Sequence, residues 1–422
     1  MGFEKTVLDN GITVVTESFE GVRSIALGIW FVVGSRDEQP EEAGMSHFME
    51  HMMFKGTPTR SARELSEAFD RLGARQNAFT SKEVTCYYAD FIDESLPGVF
   101  ELLADMTLNA TLDQEACELE REVVIEEIAR CEDDPENVAH ELFSSLAWPR
   151  HTLGRAIAGS RETVGSFGHD LSVAFRAKHY SGQNCIVAAA GNVDHRQVVE
   201  LTERFMGALA PSGNSDERVA PGEVKSALRF QYKDTEQSHI FTGRSALSVC
   251  DERRYALMLA NNIFGGSMSS RLFQEVREKQ GLVYSIYSYP QPYSDGGLFA
   301  VYAGTRPENG QQVFDTIQQE IEKFGSSDIT SAELDRAKAS VKGALALSLE
   351  STSRRMIRIA EATIADLKVY SFDELLDLYN KTTLDEVRAV AHEVSSGPQT
   401  TAVVGPYTDQ GFDHIEQEHE DD

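Results

Sequence analysis

The chain has little of what several specialised architectures require. Its 422 residues include only five cysteines, Cys86, Cys117, Cys131, Cys185 and Cys250, an odd number without C-x-x-C spacing. Neither a disulfide framework nor a thiolate metal site is indicated, and the thiols are read as reduced and structural. No apolar run reaches the length of a membrane span, and the N-terminus lacks a basic region followed by an apolar one. A cytoplasmic protein without membrane insertion is expected. Positive charge is also scarce: 39 Lys and Arg stand against 68 Asp and Glu, a net charge of −29. Nucleic acid, whose phosphates need a basic surface, is excluded as a partner, whereas basic peptides are favoured. Gly265-Gly266-Ser267 lacks the Gly-Lys-Ser/Thr ending of a phosphate-binding loop and is read as a turn.

What is present suffices for two domains. At this length, with 41% hydrophobic content, a large core can be buried. Alternating apolar segments and helical periodicities mix in the manner of an α+β fold. Asp9-Asn10-Gly11 between two apolar runs predicts a hairpin. A buried strand is expected over 24–33 and a helix over 41–54. Ser61 with Glu64 forms a capping box for a helix that Gly73 can end. Further strands are expected over 77–79, 85–91 and 185–190. The turn-forming stretch Ala210-Pro211-Ser212-Gly213-Asn214-Ser215-Asp216 marks a linker, set at 210–226, between domains at 1–209 and 227–408. An acidic tail, 409–422, has no apolar face and is expected to be disordered and dispensable.

The second half echoes the first. Glu333-Leu334-Asp335-Arg336 lies 215 residues beyond Glu118-Leu119-Glu120-Arg121, and Ala402-Val403-Val404-Gly405 lies 214 beyond Ala188-Ala189-Ala190-Gly191. Two echoes at nearly one offset imply duplicated domains.

The most informative motif is His47-Phe48-Met49-Glu50-His51. Residues i and i+4 of a helix share a face, so His47 and His51 can close on one zinc ion with Glu50 beside them. A catalytic zinc site needs a third protein ligand. The acidic helix beginning near Asp113 offers it: Glu120 and Glu127 lie seven residues apart on one face, while Glu126 points elsewhere. Glu127 is read as the ligand and Glu120 as the carboxylate that steadies a ligating imidazole. At the duplication offset, His47, Glu50, His51 and Glu127 correspond to Asn262, Gly265, Gly266 and Lys342, so the second domain cannot hold a metal in the same way.

These residues carry a family resemblance over nearly the whole chain. Leu8-Asp9-Asn10-Gly11, the run from Gly44 through His47, Glu50 and His51 to Thr57, Asn77-Ala78-Phe79-Thr80, the Glu120-to-Glu127 segment, and Ser270-Arg271-Leu272-Phe273 continuing to Gly281-Leu282-Val283-Tyr284 resemble the pitrilysin-type metallopeptidases. The match is to the short-chain group that includes the catalytic subunit of the mitochondrial processing peptidase and its bacterial relatives. In that family the distal glutamate follows the second histidine at about the spacing of His51 and Glu127. The resemblance implies two related domains, each a mainly antiparallel sheet packed with helices. It also implies one Zn2+ per subunit, a substrate-binding and oxyanion-stabilising role for Arg277 and Tyr284, and addition of an extended peptide at Asn77-Ala78-Phe79. Longer relatives place four such domains in one chain, so a homodimer enclosing its substrate is expected.

The function expected is zinc-dependent endopeptidase or oligopeptidase activity, with Glu50 as general base. Two other classes remain: a noncatalytic scaffold like the processing-peptidase-like subunits of the mitochondrial cytochrome reductase complex, and a zinc hydrolase of a nonpeptide substrate. Scaffold relatives typically carry a damaged metal motif, and this one is intact.

Overall fold

The computed structural model describes residues 2–211, 217–326, 328–408 and 411–412, and resolves two compact units. The first comprises Met1–Ile128, Arg155–Arg218 and Ala346–Val369; the second comprises Ala129–Gly154, Val219–Leu345 and Tyr370–Asp422. A single cut within 210–226 therefore does not separate them, because each unit includes a segment from the other half of the sequence. Residues 212–216 of the expected linker lie outside the described residues.

In the first unit, strands β1 (Gly2–Val7), β2 (Thr13–Ser18), β3 (Ser24–Phe31), β4 (Arg75–Thr80), β5 (Thr85–Ile92) and β6 (Cys185–Gly191) form one sheet, ordered β1-β2-β6-β3-β5-β4. The hairpin signal is realised as β1 and β2, paired from Gly2↔Ser18 to Val7↔Thr13 around Gly11 at φ 89°. Only β2 and β6 run parallel. Ile25, Leu27, Ile29 and Phe31 of β3 enter the main core with Phe48, Met49 and Phe100. Its alternate residues Ala26 and Trp30 face a second apolar layer. Burial on both faces explains the nearly continuous apolar run of this strand.

The second layer is supplied by helix Thr352–Ile364 through Met356, Ile359 and Ala360. Glu17 accepts hydrogen bonds from Arg355 (3.0 Å) and Arg358 (2.8 Å) beneath it. Gly28 keeps the contact open, since a Cβ there would stand 2.7 Å from Trp30 Nε1 and 2.8 Å from Met356 Sδ.

The second unit repeats the plan. Strands β7 (Ala227–Tyr232), β8 (Ser238–Ser245), β9 (Val283–Pro292), β10 (Gly297–Thr305) and β11 (Thr400–Gly405) are ordered β9-β10-β8-β11-β7, with β7 parallel to β11. Without β1, the first sheet has the same sequence of connections. Here helix Pro135–Ala147 covers one face, packing Ala139, Phe143 and Ala147 against Phe241, Ala300 and Ala402. Gly243, 215 residues beyond Gly28, again makes room: its Cβ would lie 2.8 Å from Phe143 Cζ. The duplication thus reaches the glycine beneath each covering helix.

Two expectations are corrected. The helix expected over 41–54 is Met45–Met52, preceded by a short 3-10 turn at Pro40–Glu42, because Gly44 takes φ 99° and the regular helix starts after it. The tail is not featureless from 409 onward. Phe412 is 9% exposed and sits edge-on to Phe230 and Tyr407, with ring centroids at 4.9 and 5.3 Å. The Phe412 side chain anchors to the core of the second unit, so a cut at Gly411 removes a packed ring. Residues 409, 410 and 413–422 lie outside the described residues. Among the described residues, no helix is long and apolar enough to cross a membrane.

Candidate metal centre

The first unit assembles its centre from two helices and one edge strand. Helix α1 (Met45–Met52) buries Met45, Phe48, Met49 and Met52, leaving His47, Glu50 and His51 partly accessible on the remaining face. Helix α2 (Gln114–Asp133) buries Cys117, Glu120, Val124 and Ile128. That stripe brings Glu120 and Glu127 to α1 and leaves Glu126 exposed.

The two imidazoles converge on one carboxylate oxygen. Glu127 Oε2 lies 3.8 Å from His47 Nε2 and 3.6 Å from His51 Nε2, and one ligand atom from each residue lies within 4.8 Å of the others. Ligands about 2.1 Å from a zinc ion at tetrahedral angles stand roughly 3.4 Å apart, so the two Glu127–imidazole separations fit zinc with only a small contraction. His51 Nδ1 meets Glu120 Oε1 at 2.8 Å, and Lys55 Nζ holds the other Glu120 oxygen at 2.5 Å. His47 Nδ1 is buried without a hydrogen-bond partner.

The local electrostatics follow from this arrangement. Burial and the neighbouring His51 hold the His47 pKa down to about 4, against the charge of Glu127, which keeps a lone pair available on that ring. Burial works against a charged His51, but the bond and charge of Glu120 raise its pKa overall. Glu120 is held below the usual carboxylate range despite burial, by its bonds from His51 and Lys55. Glu50 moves the other way, pushed up chiefly by burial even though Thr80 Oγ1 donates to its Oε2 at 2.6 Å.

Three supporting residues escape sequence reasoning. Thr80, at the end of β4, orients the Glu50 carboxylate, and Lys55 orients Glu120. Glu38 anchors the start of α1, which has no side-chain cap of its own. Its buried carboxylate accepts from the backbone N–H groups of Gly44 (2.8 Å) and Ser46 (2.7 Å). Burial pushes its pKa up to about 7, against these two bonds. Proximity to the motif was the only sequence signal for Glu38, while Lys55 and Thr80 lay in matched segments without an assigned role.

The remaining expected site residues fall in two places. Asn77, Ala78 and Phe79 lie on β4, an edge strand that pairs with β5 alone. Asn77 is exposed and Phe79 half-buried, its ring edge-on to Trp30 at 5.3 Å. Arg277 and Tyr284 belong to the second unit, and that unit brings them together. Arg277 lies on a π-helical stretch, Phe273–Lys279, with its guanidinium 4.8 Å from the Phe273 ring and 5.6 Å from the Tyr284 ring. A bulge in β9 between Val283 and Ser285 turns Tyr284 outward, leaving it 74% exposed.

Known proteins match the chain along most of its length. Residues 13–161 match the family model described as insulinase (peptidase family M16), and residues 168–341 match that of the peptidase M16 inactive domain. The chain is 40% identical to an uncharacterized zinc protease of Bacillus subtilis, covering 94% of this chain and 97% of that protein. It is also 40% identical to an uncharacterized zinc protease of Streptomyces coelicolor, covering 96% and 90%. Among solved structures, a peptidase M16 inactive domain from Pseudomonas fluorescens superposes with a TM-score of 0.90 at 19% identity, covering 97% of this chain and 100% of that one. A protease from Helicobacter pylori gives 0.89 at 24% identity, covering 96% and 99%.

Proposed function

Since the chain belongs to the insulinase family, peptidase family M16, we propose that it is a zinc-dependent endopeptidase or oligopeptidase acting on peptides or unfolded segments. The observation that carries this reading is the convergence of His47, His51 and Glu127 with Glu50 beside them. His47, His51 and Glu127 would hold the ion, one per subunit. Zinc, when bound, supplies Lewis acidity that acidifies water and polarises a carbonyl. Glu50 takes the proton of the attacking water and returns it to the leaving amine. Thr80 keeps one Glu50 oxygen engaged, so the other is free to meet the water. Arg277 and Tyr284 donate hydrogen bonds to the carbonyl oxygen as it gains negative charge. The open edge of β4 accepts the substrate backbone as an added strand, which binds peptides with little sequence demand.

The proposed assembly is a homodimer enclosing two equivalent sites, each combining the metal centre of one subunit with Arg277 and Tyr284 of its partner. Mixing a Glu50→Gln subunit with an Arg277→Ala subunit, each inactive alone, should restore activity at the one site that carries neither lesion. Confirmed subunit exchange without recovered activity would rule out shared sites.

A defined peptide mixture analysed by mass spectrometry, with and without chelator, tests the reaction. Cleavage between residues that stops on chelation and returns with zinc is the expected result. Intact peptides with the zinc-loaded protein would favour the scaffold reading or a nonpeptide substrate.

A further inference from the structure

At the start of β9 the second unit holds a concavity of about 400 Å³ that shares only Tyr284 with the reaction above. Tyr284 forms one side, and Gln237, Thr305, Arg306 and Asn309 supply its other polar groups. Among the described residues Arg306 is the sole charged one lining it, and it has no ion pair with any of them. Gly304 keeps the floor open, since a Cβ there would stand 3.0 Å from Tyr302 Oη and 3.5 Å from Gln237 Oε1. With Arg277 5.6 Å from the Tyr284 ring, the exposed phenol has one guanidinium beside its ring and another in the pocket next to it.

The chemistry is that of a carboxylate receptor. A guanidinium presents paired N–H donors that match a planar carboxylate, and the two amides and the phenol can add neutral donors. Among the described residues no carboxylate lines the pocket to compete. The setting adds selectivity: a chain of net charge −29 repels anions over most of its surface, so a concavity whose described lining carries only a positive charge is a departure from the whole.

We propose that this pocket binds a carboxylate of the substrate peptide, next to Tyr284. The inference rests on the peptidase reading and adds to it a substrate feature. The carboxylate could be the peptide's C-terminus or an acidic side chain, and three matched peptides distinguish them: a free acid, its C-terminal amide, and an amide with Asp as the last residue.

Affinity is measured by calorimetry on zinc-loaded Glu50→Gln protein, so that binding is read apart from turnover. The free acid, the Asp-bearing amide, or both should bind about tenfold more tightly than the plain amide, the scale of one charge-assisted hydrogen bond. The tighter member identifies the source of the carboxylate. Adding Arg306→Gln should bring the affinity ratio to about one, and Arg306→Lys should retain part of it. Equal affinity for all three peptides, or a preference unchanged by Arg306→Gln, would overturn the pocket assignment. Absence of cleavage by the wild-type protein would instead count against the peptidase reading, leaving the affinity ratio to judge the pocket.

Discussion

A Glu50→Gln protein should bind zinc as the wild type does and lose about 10²–10⁴-fold in kcat, the usual contribution of a general acid–base group. The carboxamide preserves the size of the side chain and can still accept from Thr80 Oγ1, which lies 2.6 Å from the carboxylate in the wild type. It cannot accept a proton from water near neutral pH. Glu50 is also distinct from the converging ligand set of His47, His51 and Glu127, so its substitution leaves those donors in place. Metal content by atomic absorption, beside kcat on a peptide cleaved by the wild type, decides the matter. Near-normal turnover in metal-loaded Glu50→Gln protein would remove Glu50 from the role of base.

Glu127→Gln should have the opposite signature, with metal lost first and activity following. It removes the anionic oxygen on which both Nε2 atoms converge at 3.6 and 3.8 Å. Glu120→Gln should weaken zinc by about 10–100-fold, the usual cost of losing an outer carboxylate that holds a ligating histidine. That carboxylate fixes His51 through Nδ1 and is itself paired with Lys55. The Glu127 variant should therefore fall below the Glu120 variant in zinc affinity, measured by competition with a chromophoric chelator. Equal affinity in wild type and Glu127→Gln would dismiss Glu127 as a ligand and turn attention to Glu126.

Parts of this centre were legible because helical geometry is local. The pairing of His47 with His51, and of Glu120 with Glu127, follows from spacing within one helix, whatever those helices pack against. The placing of Glu127 rather than Glu126 beside the histidines was also readable from its seven-residue spacing to Glu120, and in the folded chain Glu126 is exposed. Thr80 and Lys55 are different. Thr80 reaches Glu50 across 30 positions and Lys55 reaches Glu120 across 65, through contacts that no periodicity encodes. Glu38 is nearer, but its role depends on a loop returning its carboxylate to two backbone N–H groups of α1.

The duplication shows the same boundary between sequence and structure. Two echoes at offsets of 215 and 214 implied related domains, and the matching sheet orders bear that out. The pattern of helix Pro135–Ala147 calls for burial of one face, and that of Thr352–Ile364 does likewise. Pattern alone does not say which of two similar sheets each one covers. In the folded chain each covers the sheet built mainly from the other half, and the linker no longer marks the division into units.

By itself, then, the sequence determined the mixed α+β class, the repeat, and the placing of His47, Glu50 and His51 on one helical turn, because these depend on spacing along a single element or on a constant offset. Tertiary structure alone decided which sheet each covering helix meets, how Glu50 and Glu120 are held, that Phe412 belongs to a core, and that Tyr284 stands outward and lines one concavity with Arg306. The physical reason is common to all four. Each depends on side-chain shape and hydrogen-bond partners supplied by distant segments, and those partners become neighbours only when the chain closes.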